Sequence, residues 1–220
     1  MSRFNMNISF TTTDGIVISG RLEGSGKGPG VVITHPHPLY GGNMDNPVVK
    51  TIERAYKDAG YMTLCFDFRG TGKSKGHHTG GPGEKKDLAA AIDFLTSQTP
   101  NPLTLAGYSY GAWINAVSGP FEDIASMVMV SPPVAFDGTP FEGVHELLRL
   151  ELVVTGSLDD IAPAGIIESM LPSWNKTARL EIIDKADHFY SRSTERLYSI
   201  IYSHAIRKKS GTGPAGGNNP

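Results

Sequence analysis

The residues best suited to chemistry in this chain are a serine, a pair of aspartates and a histidine, which occur in the order Ser109, Asp159-Asp160 and His188. A serine hydroxyl attacks a carbonyl group when a neighbouring imidazole takes its proton and a carboxylate holds that imidazole in the right tautomer. Ser109 lies in Gly107-Tyr108-Ser109-Tyr110-Gly111, which matches the G-x-S-x-G pattern of a strained turn between a strand and a helix. We interpret Ser109 as a candidate nucleophile.

The segments on either side of Ser109 favour the strand and the helix that such a turn needs. An apolar run at 103–106 precedes the motif, and residues 112–117 after it are compatible with a helix. A helix that begins at the serine points its N-terminal amides at the place where negative charge develops in acyl transfer. Taken alone, the motif is also compatible with an ordinary glycine-serine turn.

The acid and the base are each expected on a loop that follows a later strand. Residues 150–155 are typical of a buried strand and lead into the pair Asp159-Asp160, while the strand-like stretch 179–183 leads into His188. A neutral His188 imidazole would accept the serine proton and return it to the leaving group. The residues alone leave open which carboxylate of the Asp159-Asp160 pair orients the imidazole.

Strand and helix patterns alternate along the chain. Two strand-like segments, 7–13 and 16–23, flank Asp14-Gly15, which indicates an antiparallel hairpin. Further strands are predicted at 31–34, 61–68, 103–106, 125–130, 150–155 and 179–183, and helices at 47–60, 83–97, 112–117, 163–174 and 193–208. Repeated β-α-β units predict an α/β fold, a mostly parallel, doubly wound sheet with the antiparallel hairpin at one edge.

With these motifs, the chain resembles the α/β-hydrolase superfamily over nearly its whole length, up to about Lys209. Relatives typically place the acid in a G-x-x-D-x-x-x-P pattern, which this chain matches from Gly156 onwards, so the resemblance favours Asp159 over Asp160. His188 matches the family's histidine in its A-D-H-F context.

A narrower resemblance is to small hydrolases without a cap, mostly called esterases or dienelactone-hydrolase-like proteins. It rests on His35-Pro36-His37-Pro38, Gly41-Gly42-Asn43-Met44-Asp45-Asn46, Phe68-Arg69-Gly70-Thr71-Gly72-Lys73-Ser74 and Gly83-Glu84. This resemblance implies the α/β-hydrolase fold without a large cap domain, and it implies no particular substrate.

Two backbone amides are expected to form an oxyanion hole. One belongs to Tyr110, the residue after the nucleophile, and the other to the loop after strand 31–34. The two prolines that flank His37 have no N–H, which leaves His37 or Leu39 as the donor near the strand end. We favour His37, which lies where related His-Gly-x loops place their donor.

The segment 131–149, where relatives with a lid usually carry it, leaves room for a turn and a short helix, so an open site is expected. Tyr40 and Phe136 are predicted to bind substrate, and the other candidate wall residues are Pro132, Pro133, Phe141 and Trp113. The alternative is that these aromatic residues belong to the core, which for Trp113 is the favoured interpretation.

Composition excludes several classes of protein. The chain has 220 residues, 20 Lys and Arg against 22 Asp and Glu, and a formal net charge of -2, so nothing indicates nucleic-acid binding. Cys65 is the one cysteine, so an internal disulfide is ruled out; it lies in a strand-like segment. No window approaches the roughly 20 apolar residues of a membrane span, and residues 1–10 lack a signal-peptide core. We therefore expect a cytoplasmic protein that does not bind membranes.

We expect one hydrolase domain at 1–209 and a disordered tail at 210–220, which is poor in apolar residues. Prolines interrupt the pair His35 and His37, and the adjacent residues His77-His78 would point apart in an extended segment. Neither pair suits a metal site, so no metal or cofactor is predicted.

The sequence thus predicts a serine hydrolase that acts on a small-molecule ester or thioester. The alternatives are a serine peptidase or amidase with the same three residues, and a hydrolase-fold binding protein without activity. The sequence gives no indication of the oligomeric state.

Overall fold

The computed structural model describes residues 4–24, 28–99, 101–119 and 121–211. Its strands are β1 (Phe4–Thr11), β2 (Val17–Gly24), β3 (Gly30–Thr34), β4 (Met62–Phe66), β5 (Leu103–Tyr108), β6 (Ile124–Val130), β7 (Leu150–Gly156) and β8 (Arg179–Ile183). Its α-helices are α1 (Pro47–Asp58), α2 (Pro82–Thr96), α3 (Tyr110–Ser118), α4 (Ala164–Trp174) and α5 (Thr194–Lys209), and a short 3₁₀ turn covers Pro38–Tyr40.

The strands form a single sheet in the order β1-β2-β4-β3-β5-β6-β7-β8. β2 runs antiparallel to both of its neighbours. The strands that follow it in the sheet, β4, β3, β5, β6, β7 and β8, pair in parallel. The predicted mostly parallel sheet with an antiparallel hairpin at one edge is confirmed. Every residue of β3, β4 and β5 is buried because helices cover both faces of the sheet.

Helices pack on the sheet as two layers. Successive residues of a strand point to opposite faces, so Val32 packs in one apolar cluster and Ile33 in the other. The cluster around Val32 includes Leu88 of α2 and Ile114 of α3, and the cluster around Ile33 includes Ile52 of α1 together with residues of α5. Packing on both faces holds the sheet rigid, and the loops of the site extend from the ends of its strands.

Residues 131–149, which leave room for a turn and a short helix, form a series of turns, because the segment opens on Pro132-Pro133 and contains two glycines, which favour turns over helix. The tail that we predicted to be disordered lies outside the described residues, apart from positions 210 and 211.

Parallel strands end at the same edge of the sheet, and that edge is where ligands bind in open α/β sheets. β5, β7 and β8 end shortly before Ser109, Asp159 and His188, respectively. The loop after β3 leads to the predicted oxyanion donor on the same edge. The fold therefore gathers the sequence-predicted site residues at one end of the sheet.

Candidate active site

Ser109 joins β5 to α3 in a strained backbone conformation, with φ of 53° and ψ of -121°. A side chain is rarely found there, and such strain costs on the order of 1 to 3 kcal/mol. Both glycines of the motif are sterically required: a Cβ on Gly107 would lie 2.6 Å from the amide nitrogen of Ala112, and one on Gly111 would lie 2.6 Å from the Thr34 carbonyl oxygen. The G-x-S-x-G pattern is thus explained by packing around the serine.

The structure brings Ser109, His188 and Asp159 into one hydrogen-bonded row. The Nε2 atom of His188 lies 3.0 Å from Ser109 Oγ. On the other side of the ring, Nδ1 lies 2.9 Å and 3.0 Å from the two carboxylate oxygens of Asp159. All three side chains are buried. This is the geometry in which a hydroxyl can be activated by a base that a third group orients.

The carboxylate of Asp159 is held in its ionised form. Burial raises its pKa, but hydrogen bonds from His188 and other donors outweigh this effect, so the pKa lies below its ordinary value. The amides of Ile161 and Ala162 both donate to Asp159 Oδ1, at 3.0 Å and 2.8 Å. The side chain of the adjacent Asp160 is exposed. Of the two acids, Asp159 is the one that reaches His188.

Tyr108, which the sequence did not point to, holds the backbone of His188 through a hydrogen bond. Its hydroxyl donates to the His188 carbonyl oxygen at 2.9 Å, and the two rings lie 5.4 Å apart between centroids. Burial raises the pKa of Tyr108, which keeps the phenol protonated and able to donate. Tyr108 occupies a variable position of the motif, so no sequence pattern distinguishes it.

The predicted oxyanion donors are the amide of Tyr110 and the amide of His37 or Leu39. The Leu39 N–H donates to His37 Nδ1 at 3.2 Å and is therefore engaged. The His37 N–H has no acceptor among the described residues, and Tyr110 is the first residue of α3, where an amide has no partner within the helix. The geometry favours His37 over Leu39 as the partner of Tyr110.

The side chains of His35 and His37 stabilise this loop. His35 is completely buried; its Nε2 accepts the Phe68 amide at 2.9 Å, so its Nδ1 carries the proton and donates to the Pro36 carbonyl oxygen at 2.6 Å. Burial lowers the pKa of His35 to about 4, which keeps the ring neutral near pH 7. Burial and the nearby His78 also lower the pKa of His37. Both rings have a structural contact that the sequence did not reveal.

A cavity of about 300 Å³ opens above Ser109. Tyr40 and Phe136, the two predicted substrate-binding residues, both line it, together with Pro133 and Phe189. The rings of Tyr40 and Phe136 meet edge to face, with centroids 5.9 Å apart. The remaining candidate wall residues do not line this cavity: Pro132 is buried, Phe141 packs on Trp174, and Trp113 donates to the Pro140 carbonyl oxygen.

Two of the side chains that could suggest a metal, His78 and Asp45, have charged protein partners. His78 Nδ1 lies 3.0 Å from Glu84 Oε1, and Asp45 pairs with Arg21 and Lys50. Across the described ranges, no three His, Cys, Asp or Glu side chains are grouped so that they could hold a metal ion. In the same part of the chain, no helix is both long enough and apolar enough to span a membrane.

Comparison with known proteins assigns the family. A family model described as X-Pro dipeptidyl-peptidase (S15 family) matches residues 22–137, just over half of the chain. The chain belongs to this S15 family. The S15 match includes the loop after β3 and Ser109, and it ends before Asp159 and His188. Together with the fold, it makes the chain an α/β-hydrolase enzyme, as the sequence predicted.

Three relatives of this S15-family hydrolase are informative. An uncharacterized protein of Rickettsia prowazekii is 32% identical over 204 residues, 85% of each chain. The mitochondrial palmitoyl-protein thioesterase of Bos taurus is 30% identical over 142 residues, which are 62% of this chain and 43% of the thioesterase. A serine hydrolase without a lid from Xanthomonas campestris shares the fold, with a TM-score of 0.81, 24% identity and 97% of each chain covered.

Proposed function

We propose that this protein is a serine hydrolase that cleaves a carboxylic ester or thioester of a small acyl group through an acyl-enzyme. The observation that carries the proposal is the continuous row of hydrogen bonds from Ser109 through His188 to Asp159. The proposal assigns the oxyanion to the backbone amides of His37 and Tyr110.

In the proposed reaction, His188 takes the Ser109 proton as Oγ attacks the substrate carbonyl carbon. The carbonyl electrons move to its oxygen, and the two amides stabilise the resulting negative charge. The carbon–oxygen or carbon–sulfur bond to the leaving group then breaks, and His188 gives its proton to the departing alcohol or thiol. Water repeats the sequence on the acyl-serine and releases the carboxylic acid.

The lining of the cavity supports an acyl substrate over a peptide. Among the described residues that line it, none is Asp, Glu, Lys or Arg. A dipeptidyl-peptidase must hold the positively charged amino terminus of its substrate, and a buried or half-buried ammonium needs an anionic partner. The cavity volume lies at the lower end of the range for ligand pockets, which supports a small acyl group.

A serine peptidase or amidase is the second candidate. It is favoured by the family itself, which is described as X-Pro dipeptidyl-peptidase. The name of the thioesterase relative states a palmitoyl-protein thioester, which favours cleavage of an acyl ester or thioester over a peptide bond but does not favour a small acyl group. A non-catalytic binding protein is disfavoured, because all three reactive side chains are present and in contact.

Two measurements test the proposal. A fluorophosphonate probe should label the wild type at Ser109, and the label should be absent from Ser109→Ala. The purified enzyme should then hydrolyse p-nitrophenyl acetate and butyrate, and an acetyl thioester, much faster than the matching p-nitroanilides and an X-Pro p-nitroanilide. Faster X-Pro anilide turnover would establish the peptidase instead, and absence of both labelling and turnover would support the binding protein.

We predict that kcat/KM for an ester rises with pH between about 5 and 7.5 and then levels off. A general base works only when it is neutral, and a histidine is the side chain that loses its charge in this range. The measurement is kcat/KM for p-nitrophenyl butyrate in buffers of constant ionic strength. A profile that is flat over this range, in a protein that remains folded, would contradict a histidine base.

A further inference from the structure

Phe189 is a large apolar side chain that stays in contact with solvent at the edge of the active site. It follows His188 directly and is 63% exposed, although His188 before it and Tyr190 after it are both buried. Phe189 lines the cavity above Ser109. Among the described residues, the only aromatic ring that contacts it is that of His188, edge to face, with centroids 5.6 Å apart and 87° between the planes. The side chain therefore faces the site rather than the core.

The exposed and half-buried aromatic residues of the cavity wall lie in two places. Tyr40 and Phe136 lie beside the ring of His37, with centroids 5.0 Å and 6.2 Å from it. Phe189 lies beside the ring of His188 instead. The wall next to the proposed base is therefore distinct from the wall next to the loop after β3, and the two can meet different parts of a substrate.

The proposed reaction decides which part of the substrate meets Phe189. His188 must give its proton to the leaving group, so the leaving atom has to come within hydrogen-bond reach of Nε2. Nε2 lies 3.0 Å from Ser109 Oγ, which fixes the side on which the leaving group departs. The carbonyl oxygen is assigned to the amides of His37 and Tyr110 instead. The leaving group is therefore the part of the substrate that lies nearest to Phe189.

The chemistry of this side of the cavity is apolar. Ile161 also lines the cavity, and it belongs to the same side because its amide donates to Asp159, the partner of His188. Among the described residues that line the cavity, none is Asp, Glu, Lys or Arg. A charged leaving group would lose water here without gaining an ionic partner, whereas an aromatic group gains from buried area and from contact with the Phe189 ring.

We propose that the substrate carries an uncharged aromatic or other apolar alcohol or thiol as its leaving group, and that Phe189 binds this group. The proposal rests on the proposed function, since His188 is the acid there. As the acyl carbon stays bonded to Ser109 Oγ, its bond to the leaving oxygen or sulfur breaks, the electron pair goes to that atom, and the imidazolium proton follows. Because Phe189 is exposed, the leaving group can extend into solvent, and the cavity volume of about 300 Å³ restricts only the acyl group.

Three butyrate esters test the class of leaving group. Phenyl, 2-naphthyl and 3-carboxyphenyl butyrate release phenols of similar acidity, so differences in kcat/KM report contacts with the leaving group rather than its intrinsic reactivity. The wild type should prefer the naphthyl over the phenyl ester about tenfold, and the phenyl over the carboxyphenyl ester about tenfold. Equal rates for the naphthyl and phenyl esters, or a carboxyphenyl ester as fast as the phenyl ester, would overturn the proposal.

Phe189→Ala and Phe189→Leu test the residue. Phe189→Ala should reduce the naphthyl-to-phenyl ratio to less than about twofold, and Phe189→Leu should keep an intermediate ratio because leucine retains part of the apolar area. Leu148→Ala is the matched control, since Leu148 is 80% exposed and precedes β7 at the opposite edge of the sheet. It should leave the ratio unchanged, and thermal unfolding of all three variants checks the fold.

A role only in holding His188 would have a different signature. A displaced base slows all three butyrate esters by the same factor and leaves their ratios intact, so an equal loss for the three esters in Phe189→Ala would overturn the proposal. The ratio of phenyl butyrate to phenyl acetate reports the acyl group and should stay within about twofold of the wild type in this variant. Loss of that ratio, with the naphthyl preference intact, would place the acyl group at Phe189 instead.

These outcomes are distinct from failure of the proposed function. If the wild type shows no Ser109-dependent hydrolysis of any of these esters, the function itself is wrong, and the role of Phe189 falls with it. If the wild type hydrolyses the esters and Phe189→Ala matches Leu148→Ala, only the leaving-group site is wrong.

Discussion

Ser109→Ala is expected to lower ester turnover by about 10⁴-fold or more while the protein stays folded. The three side chains of such a row act as a unit, so removal of the nucleophile leaves only the contribution of binding and of the oxyanion donors. Alanine keeps the Cβ of serine, so the strained backbone at φ of 53° should persist. The measurement is kcat for p-nitrophenyl butyrate, with thermal unfolding as the check on the fold.

Ser118→Ala is the matched control for this variant. Ser118 is the last residue of α3, and its hydroxyl donates only to the Ile114 carbonyl oxygen within the same helix. Its removal should leave turnover within about twofold. Unchanged hydrolysis by purified Ser109→Ala would show that the nucleophile is another group.

The second large loss of activity is expected on replacement of Asp159. Asp159→Asn should lower kcat by about 10³ to 10⁴-fold, because an asparagine can present its NH₂ group to Nδ1 and favour the wrong tautomer of His188. Asp160→Asn should lower kcat less than about tenfold, because that side chain is exposed and does not face the imidazole. Steady-state kinetics on the two neighbouring variants compares them directly.

This comparison also tests the loop itself. The carboxylate of Asp159 accepts the amides of Ile161 and Ala162, so its replacement also acts on the loop, and the fold of the variant must be measured beside its activity. Circular dichroism and the unfolding midpoint should show a folded Asp159→Asn protein. A larger loss of activity at Asp160 than at Asp159 would mean that the loop after β7 presents the other acid.

Much of the fold could be predicted from local patterns. The parallel strands are continuous apolar runs, and the hairpin carries its own turn signal at Asp14-Gly15, so periodicity and turn chemistry were sufficient. The segment 131–149 was less predictable, because its aromatic residues are placed by tertiary contacts. Phe136 lines the cavity while Phe141 packs on Trp174, and nothing in the local sequence distinguishes the two.

The candidate site, too, was predictable from local sequence only in part. Ser109 has a motif that is dictated by close packing, so the sequence was enough to select it. The choice of Asp159 over Asp160 came from a resemblance, and the choice of His37 over Leu39 depends on a hydrogen bond to an imidazole that the sequence does not reveal. Tyr108 and His188 lie 80 positions apart, and only the folded sheet brings the Tyr108 hydroxyl to the His188 carbonyl oxygen.

The edge-to-face contact between Tyr40 and Phe136 has a consequence for how substrates enter. Tyr40 is 75% exposed, so its ring can turn away without unpacking the core, and such rotations in exposed side chains take picoseconds to nanoseconds. Entry to Ser109 would then need no slow opening of a loop or domain of the kind that limits turnover in lidded enzymes. Selection by substrate size at this entrance should therefore be gradual, because a larger group needs only a rotation of the Tyr40 ring and does not meet a fixed barrier.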